Sequence, residues 1–85
     1  MYKTNEAKLI STFNNINYYV QQDENNPGER TFGILAISTV DSSDKEFAEN
    51  LFFTYAEAEA CCKWLAKNEV YPVTLCEVLE NIYHV

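Results

Sequence analysis

The first half of the chain alternates hydrophobic and polar positions, whereas the second half places them at helical spacing. Within residues 16–22, Ile16, Tyr18 and Val20 alternate with Asn17, Tyr19 and Gln21, the period of two of a half-buried strand. Residues 30–40, dense in β-branched and aromatic side chains, predict the longest strand. Residues 46–53 give a further one, with Phe47, Leu51 and Phe53 of one parity. Residues 8–13 can form a short strand that Asn14-Asn15 turns into the next, which brings the count from three strands to four. Between the strands, residues 23–29 predict a loop with Pro27-Gly28 at the centre of a type II turn, and 41–44 (Asp-Ser-Ser-Asp) a polar break. Residues 1–7 are polar and predict a frayed terminus.

From Thr54 the period changes. Thr54-Tyr55-Ala56-Glu57 has the form of a capping box, and residues 55–68 contain no Gly or Pro. Ala58, Cys61, Cys62 and Leu65 follow one helical face. Pro72 lies in a break over 69–73. A second box, Thr74-Leu75-Cys76-Glu77, then introduces the stripe Leu75, Val78, Leu79 and Ile82. Strands first and helices last, joined by short connections, predict one α+β domain: an antiparallel meander of three to four strands with two C-terminal helices on one face.

The helix-facing layer of the sheet is predicted to hold Ile16, Tyr18, Val20, Phe32, Ile34 and Ala36, with Leu51 and Phe53. The opposite face then carries Tyr19, Leu35, Ile37 and Phe52, too apolar to face water alone. Either the 9–13 segment folds over that face, or a second chain covers it.

The stretch 51–83, above all Trp64-Leu65-Ala66-Lys67-Asn68-Glu69-Val70-Tyr71-Pro72-Val73-Thr74-Leu75-Cys76-Glu77-Val78-Leu79-Glu80, resembles a small clostridial-type bacterial family of unknown function. Its members end in an Asn-Glu-Val-x-Pro segment followed by a short acidic helix. Tyr18-Tyr19 and Phe32-Gly33-Ile34 are similar to its earlier strands. This chain departs at Tyr71, where the family has a small residue, and at Val73-Thr74, where it has Ile-His. The resemblance implies a bacterial cytosolic or mobile-element setting and a compact α+β fold, and it carries no catalytic residue.

Charge and chemistry narrow function by exclusion. Thirteen carboxylates against six Lys and Arg give a net charge of −7, which disfavours direct binding to nucleic acid or an acidic membrane. The apolar run 34–37 is far too short to span a bilayer, and with no secretory signal the expectation is a cytoplasmic protein with three free thiols. The single histidine, His84, stands beside the C-terminus, a poor place for a catalytic group. Cys61, Cys62, Cys76 and His84 lack the paired spacing of a zinc site, and two glycines cannot build a phosphate loop. No cofactor, metal or catalytic residue is assigned. The expected function is a small acidic, non-catalytic interaction or regulatory module. Its candidate surface is Tyr19, Leu35, Ile37 and Phe52 with Asp41, Asp44, Glu46, Glu49, Glu57, Glu77 and Glu80. The expected partner is a protein with a basic surface, or a second copy through the second sheet face. Two alternatives stand beside it: a mobile-element inhibitor that imitates nucleic acid toward a nucleic-acid-handling enzyme, as anti-CRISPR proteins do, and a small ligand-binding protein or enzyme.

Overall fold

A computed structural model describes residues 7–26 and 29–83, and their side chains except at 23–26, 29, 30, 50 and 83. Four strands, β1 (Ala7–Phe13), β2 (Ile16–Asn26), β3 (Glu29–Ser38) and β4 (Lys45–Phe52), form one antiparallel sheet in the order β1-β2-β3-β4. Helix α1 (Tyr55–Lys67), a 3₁₀ turn (Pro72–Thr74) and α2 (Leu75–Tyr83) follow. This is the α+β architecture expected, with all four strands present.

The turn between β1 and β2 is Asn14-Asn15, flanked by the pair Phe13 and Ile16. Asn14 sits at φ 50°, a left-handed conformation that asparagine tolerates better than most residues. Residues 8–13 therefore do not fold over the sheet. They pair at its edge, and Ala7, expected to fray, pairs with Gln21. The polar run 23–29 is mostly strand: Asp23 pairs with Thr31 and Asn26 with Glu29 across a register shift. The antiparallel partner outweighs weak local β-propensity there. The Pro27-Gly28 turn and His84 lie outside the described residues.

The core lies between the sheet and the helices. Ile16, Tyr18, Val20, Ile34 and Ala36 from the sheet pack with Ala58, Cys61, Cys62 and Leu65 from α1, and with Leu75 and Leu79 from α2. Two cross-layer bonds fix this stacking. The Tyr18 hydroxyl donates to the Val70 carbonyl, and Ser11 Oγ donates to the Cys62 carbonyl at 2.8 Å. The thinnest dimension of the molecule, 19 Å, accommodates one sheet and one helical layer.

One prediction of parity fails on β4. Phe52 is 8% exposed and packs in the core, whereas Phe53 is 83% exposed. Ile34 pairs with Ala48 and Leu35 with Phe47, but Phe32 pairs with Phe52, so β4 carries extra residues opposite Gly33. This bulge re-aims the end of the strand. Leu51 remains half-buried against the core, as expected.

Helix α1 starts as its sequence predicts. Thr54 is the N-cap and accepts the Glu57 N–H at 3.2 Å, while its hydroxyl donates to the Glu57 carboxylate at 2.9 Å. Its end is a Schellman motif: the Glu69 N–H bonds the Ala66 carbonyl, and the Val70 N–H bonds the Leu65 carbonyl. Glu69 occupies the left-handed position of that motif at φ 57°, where glycine is preferred. Glu69→Gly is therefore expected to raise the unfolding free energy by roughly 0.5–1 kcal/mol, read as a higher urea midpoint. A lower midpoint would contradict this.

The second capping box does not form. The Thr74 hydroxyl turns back to donate to the Tyr71 carbonyl at 3.2 Å, and α2 is entered through the 3₁₀ turn that Pro72 opens. Among the described side chains of α2, only Leu75 and Leu79 are fully buried. Val78 packs at the margin and Ile82 is 38% exposed, because the last turn runs past the core.

Candidate functional site

Both helices pack on the same side of the sheet, and no described element covers the other side. Register alone places four apolar residues in line across it. Leu9 pairs with Tyr19, Tyr19 with Leu35, and Leu35 with Phe47, so one row crosses all four strands. Tyr19, Leu35 and Phe47 are half-buried, and Leu9 is 50% exposed. A second row, Thr12, Asn17, Ile37 and Lys45, runs beside it.

Polar side chains orient the aromatic member. Asn17 Nδ2 donates to the Tyr19 hydroxyl at 3.3 Å, and the Thr12 hydroxyl donates to Asn17 Oδ1 at 3.2 Å. The Tyr19 hydroxyl keeps its own proton for a further acceptor. A ring held in this way loses little freedom when a partner arrives. Leu9 and Phe47 belong to this face but escape the sequence reading. Leu9 requires β1 to be a strand, and Phe47 requires the register of β4.

The acidic candidates do not join the apolar ones. Asp41 organises the β3–β4 turn, accepting from the Ser43 N–H at 3.0 Å and the Ser43 hydroxyl at 2.6 Å. These bonds hold its carboxyl below the usual value. Ser38 Oγ accepts the Val40 and Asp41 N–H groups in the same turn. Glu57 belongs to the cap of α1. Glu46 lies on the helix side of β4, where Cys76 Sγ donates to it at 3.8 Å. Glu77 and Glu80 are exposed on α2, and Asp44 is exposed in the turn. Glu49 alone shares a strand and parity with Phe47. Phe52, expected on the open face, lies in the core.

The cysteines are placed for packing. Cys61 and Cys62 are buried in the core. Burial, with Cys61 and Glu59 adding, pushes the Cys62 thiol up to about 12. Cys76 is exposed, and its thiol is raised by partial burial first and then by Glu46 and Glu80. Thiols shifted in that direction are poor nucleophiles at neutral pH. Among the described residues no group of three or more His, Cys, Asp and Glu could hold a metal ion.

A shallow pocket of about 200 Å³ opens at one end of the sheet between Asn14, Ser38, Val40, Asp44 and Tyr71. Its Ser38 hydroxyl is engaged in the turn, where it accepts the Val40 and Asp41 N–H groups. On the far side, Tyr55 packs edge-on to Phe32 and under Lys8 Nζ, which is 5.6 Å from its ring centroid. The Tyr55 hydroxyl is buried with no hydrogen-bond partner among the described residues. Tyr55→Phe is thus expected to leave stability unchanged or raise it by up to about 1 kcal/mol in chemical denaturation. A marked loss would reveal a bond that the hydroxyl makes in solution.

Among the described residues no helix is long and apolar enough to cross a membrane. Among known proteins, a family model described as a family of unknown function, DUF6514, matches residues 2–85. No curated protein and no solved structure matches the chain.

Proposed function

The chain belongs to a family of unknown function, DUF6514, and we propose that it acts as a small non-catalytic protein-interaction module that docks through the open face of its sheet. The observation that carries this reading is the row Leu9, Tyr19, Leu35 and Phe47, set by register across four strands on the side away from both helices. A contiguous apolar patch with an aromatic at its centre and a polar border is the usual anatomy of a docking surface. The acidic groups are spread over a turn, a helix cap and α2, and they play a lesser part. A regulatory role in a clostridial-type bacterium, in the cytoplasm, belongs to the same reading.

The test is site-specific photo-crosslinking in bacterial cells, with the crosslinker replacing Tyr19 or Phe47 on the face and Glu80 on α2 as the control. Adducts at the two face positions and none at Glu80 are expected. Adducts only at Glu80, or none at all, would contradict the proposal.

A further inference from the structure

We infer that the occupant of the open face is a second copy of this chain, seated about a two-fold axis close to the row of Leu9, Tyr19, Leu35 and Phe47. The inference rests on the docking reading above and names its partner.

Charge distribution favours a like chain. At net −7 two copies repel wherever their acidic groups meet. Asp41, Asp44, Glu57, Glu77 and Glu80 lie in the β3–β4 turn or on the helices, away from the face. Two copies packed sheet to sheet keep their helical layers outermost, on the order of 30 Å apart and several Debye lengths of about 8 Å. Repulsion between the acids of the two helical layers is largely screened across such a dimer.

The pattern around the row is also self-complementary. On β4, Lys45 and Glu49 stand two residues to either side of Phe47. A dyad along the row reverses the strand direction and sets β4 of one copy over β4 of the other. Lys45 of each copy then lies over Glu49 of its mate, twice per dimer. Lys45 and Glu49 are both exposed. The apolar row meets itself at the centre, and opposite charges meet at the rim.

The area suffices. Four strands about 4.8 Å apart and about seven residues long give a plane of roughly 450 Å² per copy. With side-chain relief, two copies bury roughly 1,000–1,400 Å², within reach of a specific interface.

Sedimentation equilibrium of the full chain over about 1–100 μM provides the test. A concentration-dependent shift to twice the chain mass is expected. Leu35→Asp should abolish it. Lys45→Glu and Glu49→Lys should each weaken it at least about tenfold, and the double swap should restore it. Restoration by the swap separates lost contact from lost folding. A chain that stays monomeric throughout, or a dimer indifferent to Leu35→Asp and to both charge reversals, would overturn the inference. If the monomer nevertheless gives Tyr19 adducts with another protein in cells, the inference fails while the docking reading holds. Absence of adducts as well removes both.

Discussion

Replacing Phe52 with alanine is expected to lower the unfolding free energy by about 3–5 kcal/mol, whereas the same change at Phe53 should be nearly silent. The two residues are neighbours of identical chemistry. Phe52 lies in the core at 8% exposure, while Phe53 projects into solvent at 83%. Deleting the buried ring removes its transfer free energy and leaves a cavity among tightly packed neighbours. Total stability for a chain of this size is on the order of 4–13 kcal/mol, so Phe52→Ala threatens folding itself. Urea denaturation of both variants gives the answer, and the milder Phe52→Leu can substitute if the alanine variant does not fold. A larger loss at Phe53 than at Phe52 would mean that the β4 bulge is misplaced.

Tyr18→Phe is expected to cost about 1–3 kcal/mol although it removes a single oxygen. Tyr18 is fully buried, and its hydroxyl donates to the carbonyl of Val70, just after the end of α1. Without that donor the carbonyl is left buried and unsatisfied, which costs more than the average hydrogen bond contributes. The same site makes the fold sensitive to alkali. Burial first, with Tyr71 and Cys62 adding, raises the Tyr18 hydroxyl from 10.0 to about 12, and Cys62 rises from 9.0 to about 12. Both groups are held neutral more firmly in the folded chain than in the unfolded one. Their stabilisation is intact below pH 9.0, declines as the unfolded thiol and then the unfolded phenol ionise, and is gone above about 12. The urea midpoint should fall steeply between pH 9 and 11, and less steeply in Tyr18→Phe. A midpoint flat over that range would count against the burial of both groups.

Much of the architecture is legible in the residues because local signals and partners agree. Ile16, Tyr18 and Val20 alternate, and all three are buried. Thr54 and Glu57 cap α1, and Ala58, Cys61, Cys62 and Leu65 bury the face that their spacing defines. What escapes is set by pairing. The parity at the end of β4 depends on a bulge opposite Gly33, which no local pattern in 46–53 records. The extension of β2 to Asn26 depends on β3 beside it, since Asp23 and the asparagines are weak strand formers. Thr74 reads as a cap from spacing alone, yet Pro72 starts a 3₁₀ turn before the helix and engages it.

The candidate surface is legible in part for the same reason. Tyr19, Leu35 and Ile37 follow from alternation within their own strands. Leu9 and Phe47 follow only from the register that aligns them with Tyr19 and Leu35. Charge misleads here because composition has no geometry. The carboxylates near Asp41 suggest a docking rim, but Asp41 is bonded into its turn, Glu57 into a cap, and Glu46 faces Cys76. The segment Asn68-Glu69-Val70 has a structural task. Asn68 caps α1, Glu69 takes the left-handed turn, and Val70 enters the core.

The most direct test is solvent paramagnetic relaxation of side-chain resonances, with a soluble gadolinium chelate, across a dilution series. Leu9, Tyr19, Leu35 and Phe47 should be shielded at high concentration and relaxed strongly when dilute, while Val73, Phe53 and Ile82 relax strongly throughout. If the four row residues show the same relaxation at every concentration, the open face of the sheet is not where this protein meets its mate.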